Sequence, residues 1–209
     1  FQSYSATFQP LEQIQSSLKT AVETARGLGA CVRGISVSTR PDLLPQGALD
    51  VLNVLAERYE TWVELGVQTV DPVGLKWLRR GHGLEDVEKA LRRLFPTPLK
   101  VCAHLVAGIP GEAEDQLTQS ALWLAARGVD ALKFHPLYVT CRTELERLYR
   151  AGEFTPLTEE QYLRRLLAAL LALPDGTIIQ RLMAGVRPAL LVAPQSIMEK
   201  ERLQRKITT

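Results

Sequence analysis

Two periodicities take turns along this chain. Stretches in which every second residue is apolar predict strands over residues 32–38, 61–68, 99–107, 131–137 and 177–182, with a further strand-like stretch at residues 1–4. Between them, apolar residues recur at three- and four-residue steps and predict amphipathic helices over residues 11–26, 46–57, 84–95, 114–127 and 158–173. Gly27-Leu28-Gly29, Gly128 and Pro174-Asp175-Gly176 punctuate the helix ends, and a basic helix is expected over residues 196–207. Repeated strand–helix units at a spacing of about thirty residues point to parallel strands with right-handed crossovers, in an open sheet or a barrel.

Splitting each strand by its pleat separates two faces. One carries Ile35, Val37, Val63, Leu65, Val67, Val101, Ala103, Leu105, Leu132 and Phe134. The other carries Ser36, Ser38, Arg40, Glu64, Gly66, Gln68, Cys102, His104, Lys133 and His135. A parallel sheet covered on both faces reads as nearly continuous apolar runs, and these strands do not. A polar face shared by four consecutive strands implies a wet or ligand-filled lumen, since unpaired buried polar groups cost about 1–3 kcal/mol each. The alternative is the solvent face of an open sheet; either way the C-terminal strand ends are where a ligand belongs.

Composition narrows the class. With 209 residues and 46% hydrophobic content the chain can bury one sizeable core, and its net charge of +2 gives no bulk attraction for nucleic acid. The longest apolar run, residues 166–173, is far too short to span a bilayer, so the expectation is a soluble, cytoplasmic protein that meets no membrane. Cys31, Cys102 and Cys141 are too far apart for a CxxC-type site, and no metal-ligand set is read from them. The expected organisation is a barrel portion over residues 1–185 and a C-terminal extension, residues 186–209, ending in the basic helix.

Four short motifs fall at the predicted strand ends: Ser38-Thr39-Arg40-Pro41-Asp42, Glu64-Leu65-Gly66-Val67-Gln68-Thr69, Gly108-Ile109-Pro110-Gly111-Glu112 and His135-Pro136-Leu137-Tyr138. Arg79-Arg80-Gly81-His82, Cys102-Ala103-His104 and Ile179-Gln180-Arg181-Leu182 complete the pattern. In order and spacing this sequence resembles the radical S-adenosylmethionine (SAM) superfamily, and within it the elongator-like branch of YhcC/YtqA type. The resemblance implies an α/β fold, a partial (β/α)6 TIM-like barrel lacking its first strand and cluster loop. It implies SAM and a 4Fe-4S cluster as cofactors, cleavage of SAM to a 5′-deoxyadenosyl radical, tRNA modification as the substrate class, and an electron donor such as flavodoxin or ferredoxin. The three clustered cysteines that would hold the cluster are not in this sequence, so the chain alone is expected to be inactive.

Residue by residue, the resemblance places Ser38, Glu64, Gln68, Arg80, His104, Gly108 and Leu137 around SAM. Gln68 would meet the ribose or methionine part, and its alternative is a surface amide. Arg80, twelve residues later, would grip the methionine carboxylate with its fork, with Arg79 as rival and a solvated face as the alternative. Ser38 stands where many relatives carry a glutamate. Glu64 would orient Arg40, Arg80 or the cofactor amine, or else form a buried ion pair. His104 would accept from a ribose hydroxyl or shuttle a proton, or be a hydrogen-bonded core histidine; Gly108 would let backbone approach adenine, with Leu137 beside it and Tyr138 as a core aromatic. Lys133 and His135 are assigned to substrate, and Met183-Ala184-Gly185 and Gln195 depart from the branch. The competing reading is a non-catalytic nucleotide- or partner-binding relative that lacks the cluster.

Overall fold

The computed structural model describes residue 1 and residues 5–195. Its strands are β1 (Gly34–Thr39), β2 (Glu60–Gln68), β3 (Lys100–Ala107), β4 (Ala131–Pro136), β5 (Val139–Thr140), β6 (Ile178–Arg181) and β7 (Leu191–Ala193). Its helices are α1 (Leu11–Gly27), α2 (Gln46–Ala56), α3 (Pro72–Trp77), α4 (Leu84–Leu94), α5 (Gln116–Ala125), α6 (Glu144–Arg150) and α7 (Glu159–Ala172). A five-stranded sheet runs in the order β1-β2-β3-β4-β6, with β1 parallel to β2 and β4 parallel to β6. The five internal strands and five helices expected from periodicity are all present, within a few residues at their ends. The strand expected at residues 1–4 and the helix expected at residues 196–207 lie outside the described residues, apart from Phe1. Phe1 bonds the edge of β1: its amino group donates to the Ser36 carbonyl and its carbonyl accepts from the Ser38 N–H, both at 2.9 Å.

Contacts divide the chain into two units, Phe1–Val67 with His82–Ala103, and Gln68–Gly81 with His104–Thr209. In the first, Ile35, Val37, Val63 and Leu65 are buried together with Leu49, Leu52, Val87 and Leu91 from α2 and α4. Arg93, near the end of α4, reaches across to the Leu44 carbonyl and the Gln46 side chain, tying that helix to the start of α2.

In the second unit α5 packs on α7, burying Leu117, Ala121 and Leu124 with Tyr162, Leu166 and Ala169. Helix α7 begins with a reciprocal cap: the Gln161 N–H donates to Thr158 Oγ1 at 3.2 Å and the Thr158 N–H to Gln161 Oε1 at 2.9 Å. A small antiparallel pair, β5 with β7, was not legible in the pattern, being two and three residues long. It encloses a second core of Val139, Phe154 and Ala193, with Leu137, Leu145 and Leu148 packed against it. Helices α3 and α6 also escape the periodicity argument. Their signals were local: Asp71-Pro72 is a cap followed by proline at the first helical position, and Thr143 with Glu146 three residues on is a capping pair.

Candidate functional site

The pleat sorts the sheet as expected. Each residue of the apolar set is at most 6% exposed, whereas Ser36, Ser38, Gly66, Gln68, His104 and His135 on the opposite set are partly open and Glu64, Cys102 and Lys133 are buried. In the first unit β1 and β2 pair in a register that sets Ser38 opposite Glu64. The Ser36 hydroxyl donates to Glu64 Oε1, and the Ser38 hydroxyl to Oε2 at 3.1 Å. Glu64, only 2% exposed, thus receives a hydroxyl donor on each carboxyl oxygen from the neighbouring strand. Arg40 departs from the expectation that Glu64 orients it: its Nε and Nη2 donate to the two Asp42 oxygens at 2.9 and 2.5 Å. The Arg40–Asp42 fork forms because the chain turns at Pro41 and brings Asp42 back beside residue 40.

In the second unit the predicted residues fall on the segment Gln68–Gly81, on β3 or just after it, and on β4 or just after it. Gln68, the last residue of β2, has φ +73°, a left-handed conformation that costs a side-chain-bearing residue on the order of 1–2 kcal/mol. Beyond it, Asp71 caps α3 by accepting from the Val73 and Gly74 N–H groups. Helix α3 closes on Arg79, which has φ +51°, with the Arg79 N–H donating to the Lys76 carbonyl and the Arg80 N–H to the Leu75 carbonyl. This ending separates the two arginines: Arg79 is exposed, while Arg80 is partly buried with its Nε out of solvent.

His135 and His104 are close enough to feel each other. Burial pushes His135 down to about 4, with electrostatic influence from His104 and Arg181 in the same direction and a backbone hydrogen bond at Pro136 against it. His135 is therefore a neutral imidazole at pH 7, able to accept a hydrogen bond. Lys133 is 5% exposed and stands opposite Arg181 in the β4–β6 register. Gly108 has φ +91°, and a Cβ on it would lie 2.8 Å from Leu157 Cγ, so packing as well as backbone conformation requires glycine there. Leu137 donates its N–H to the Ala107 carbonyl at 2.9 Å while its side chain joins the Val139–Phe154–Ala193 core. Tyr138 donates to the Ala184 carbonyl at 2.9 Å, and burial pushes its phenol up to about 12. Tyr162 similarly donates to the Leu182 carbonyl, so two tyrosines fix the backbone on either side of Met183.

The profile of the Radical SAM superfamily matches residues 7–124, and that of the Radical SAM C-terminal domain matches residues 129–209. The chain belongs to the radical SAM superfamily. It is 32% identical to protein YhcC of Escherichia coli K12 over 93% of this chain and 62% of that one. It is 30% identical to the tRNA uridine(34) acetyltransferase of Methanocaldococcus infernus over 78% of this chain and 30% of that one. The solved structure of M. infernus Elp3 superposes with a TM-score of 0.73 at 28% identity, over 86% of this chain and 42% of that one. The chain thus spans less than two thirds of the length of these relatives. The fold is the partial, TIM-like barrel fold of radical SAM enzymes, and the relatives are of the elongator-like, YhcC type.

Sequence reasoning missed one group of residues. Glu112, Thr69, Gly74 and Asp71 come together where the turn after β2 meets the loop after β3. In the sequence Glu112 stands only as the last residue of the motif Gly108-Ile109-Pro110-Gly111-Glu112, with no role of its own. Nothing in its spacing announces that its carboxyl turns inward.

Proposed function

We propose that this chain forms the SAM-binding wall of an elongator-like radical SAM enzyme acting on a tRNA uridine. The observation that carries the reading is the segment after β2. Gln68 is held in a costly left-handed conformation at a C-terminal strand end, and α3 then ends so that Arg80 turns inward while Arg79 faces water. Backbone strain at a strand end is typical of a ligand-facing position. The donor set fits SAM. A guanidinium suits the methionine carboxylate, an amide and an imidazole suit ribose hydroxyls, and glycine at 108 keeps a side chain away from the end of β3. Ser38 and Glu64, Gly108 and Leu137 complete the proposed cofactor residues, with Lys133 and His135 assigned to substrate. Their organisation follows the same reading, a barrel portion over residues 1–185 and an extension over residues 186–209.

The family's 4Fe-4S cluster takes cysteine thiolates as ligands. Among the described residues Cys31 is exposed, Cys102 is buried in β3 and Cys141 is partly buried, and no three metal-ligating side chains gather. These cysteines do not fit the cluster, and the residues assigned above would hold SAM alone. The tRNA substrate rests on the acetyltransferase relative, and an electron donor such as flavodoxin or ferredoxin belongs to the whole enzyme.

Calorimetric titration of SAM into this chain tests this reading. Arg80→Ala should weaken binding by about 1.5–3 kcal/mol, the usual worth of a charged hydrogen bond. Arg80→Lys should recover part of that loss, since lysine keeps the charge without the fork. Equal affinities for wild type and Arg80→Ala would remove the assignment, and a loss on Arg79→Ala instead would shift it by one residue.

A further inference from the structure

The segment Gln68–Gly81 belongs by its contacts to the second unit, although β2 before it and His82 after it belong to the first. Left-handed residues stand at its two ends: Gln68 with φ +73°, then Arg79 with φ +51° and Gly81 with φ +73°. It is a short clip carrying two of the proposed SAM residues, Gln68 and Arg80, so what clamps it sets their positions. Three attachments are visible. The Val70 N–H donates to Ser120 Oγ at 3.2 Å, with Thr69 Oγ1 3.5 Å from the same oxygen. Trp77 stacks at a tilt on Phe154 with ring centroids 6.0 Å apart.

The third attachment is Glu112. A Cβ built on Gly74 would lie 2.6 Å from Glu112 Oε1 and 3.1 Å from Thr69 Cγ2, so the carboxyl sits directly against the helix backbone in space only glycine leaves open. Oε1 is shielded from solvent and has no hydrogen-bond partner among the described residues. An un-ionised carboxyl tolerates such a seat better than a carboxylate, whose Oε1 would lose its hydration with only a Thr69 hydrogen bond and the Arg165 charge acting on the group in return. The charged groups facing it are Asp71, at the cap of α3, and Arg165, on α7, whose own Nε is likewise buried without a partner among the described residues. Glu114, two residues along the same loop, is separately engaged with Arg164 at 3.6 Å.

We propose that Glu112 is a proton-controlled latch: uncharged, it seats against Gly74 and clamps the Gln68–Gly81 segment, and on ionisation it leaves that seat toward Arg165 and frees the segment. Burial, helped by the Asp71 charge and opposed by Thr69 and Arg165, pushes Glu112 up to about 7, which places the switch in the neutral range. Glu112 thereby acts as a positioning residue for Gln68 and Arg80. That last consequence rests on the SAM reading above; the latch does not.

Amide hydrogen exchange across residues 69–78 tests the latch on the ligand-free chain between pH 6 and 9, after correction for the intrinsic pH dependence of exchange. Opening should grow by up to about tenfold per pH unit above pH 7 in the wild type, because each unit favours the ionised state by that factor. Glu112→Gln, isosteric and permanently uncharged, should hold these amides protected across the range. Glu114→Gln, on the same loop, should behave as wild type. A flat wild-type profile, an equal rise in Glu112→Gln, or loss of the rise in Glu114→Gln would overturn the proposal. Calorimetry of the same proteins reads the other question: SAM affinity should fall above pH 7 in the wild type and stay level in Glu112→Gln. Absence of SAM binding at any pH would remove the SAM reading while leaving the exchange result intact.

Discussion

Single residues carry the clearest division between stability and use. Gln68 and Arg79 both occupy the left-handed region, and glycine would be easier at either place. Gln68→Gly should leave stability unchanged or raise it by up to about 1 kcal/mol in urea unfolding, while SAM binding falls. Arg79→Gly should give the same gain with no loss of binding, because Arg79 is exposed. If Gln68→Gly binds SAM like wild type, the strained amide has no role in the site. Ser38 shows how a neighbour constrains a residue. It pairs in register with Glu64, and a glutamate at 38, as the resemblance leads one to expect, would set two carboxylates opposite each other.

At the scale of elements, the loop after β3 is fixed by close approach. Gly108 combines φ +91° with a Cβ position 2.8 Å from the branch carbon of Leu157, which has less freedom to retreat than a side-chain tip. Gly108→Ala should therefore destabilise by about 2–3 kcal/mol, measured by urea unfolding, from overpacking and backbone strain together. Gly74→Ala differs, since its closest neighbour is the mobile tip of Glu112. That variant should cost about 1 kcal/mol or less and return Glu112 toward the ordinary carboxyl range, visible by carbon NMR of the carboxyl. The strands and long helices were legible because their faces are buried at regular intervals. Helices α3 and α6 and the β5–β7 pair were not, because a run of two to seven residues spans too few periods to show one.

For the whole molecule, two partly buried groups impose opposing pH dependences. His135 is held down to about 4, so between pH 4 and 6.5 the unfolded chain takes a proton that the folded one refuses, and stability rises with pH. Glu112 is pushed up to about 7 from its ordinary 4.5, so between those values the folded chain holds the extra proton, and stability falls with pH. Each slope is at most about 1.4 kcal/mol per pH unit, and over pH 4.5–6.5 they offset one another. Thermal or urea unfolding of variants should expose them separately. Relative to wild type, Glu112→Gln should gain stability as pH rises toward 7, and His135→Asn should gain as pH falls toward 4. Parallel profiles for wild type and both variants would show that neither proton is held as described.

The alternation of apolar and polar residues, by itself, determined the strands, their two faces and the long helices, because burial acts on each residue according to its place in the repeat. It also put Glu64, Gln68, His104, Lys133 and His135 on one set, and the ordered motifs placed the chain in its family. Only the tertiary structure gives Arg79 and Arg80 different exposure, since a helix ending, not a spacing, leaves one in water and partly buries the other. It alone gave Arg40 to Asp42 and Glu64 to the serines of β1, because the partner of a charge depends on which backbone turns beside it. And it alone revealed Glu112, whose seat exists only where the absent side chain of Gly74 leaves room, a vacancy shared by two segments that the sequence keeps 38 residues apart.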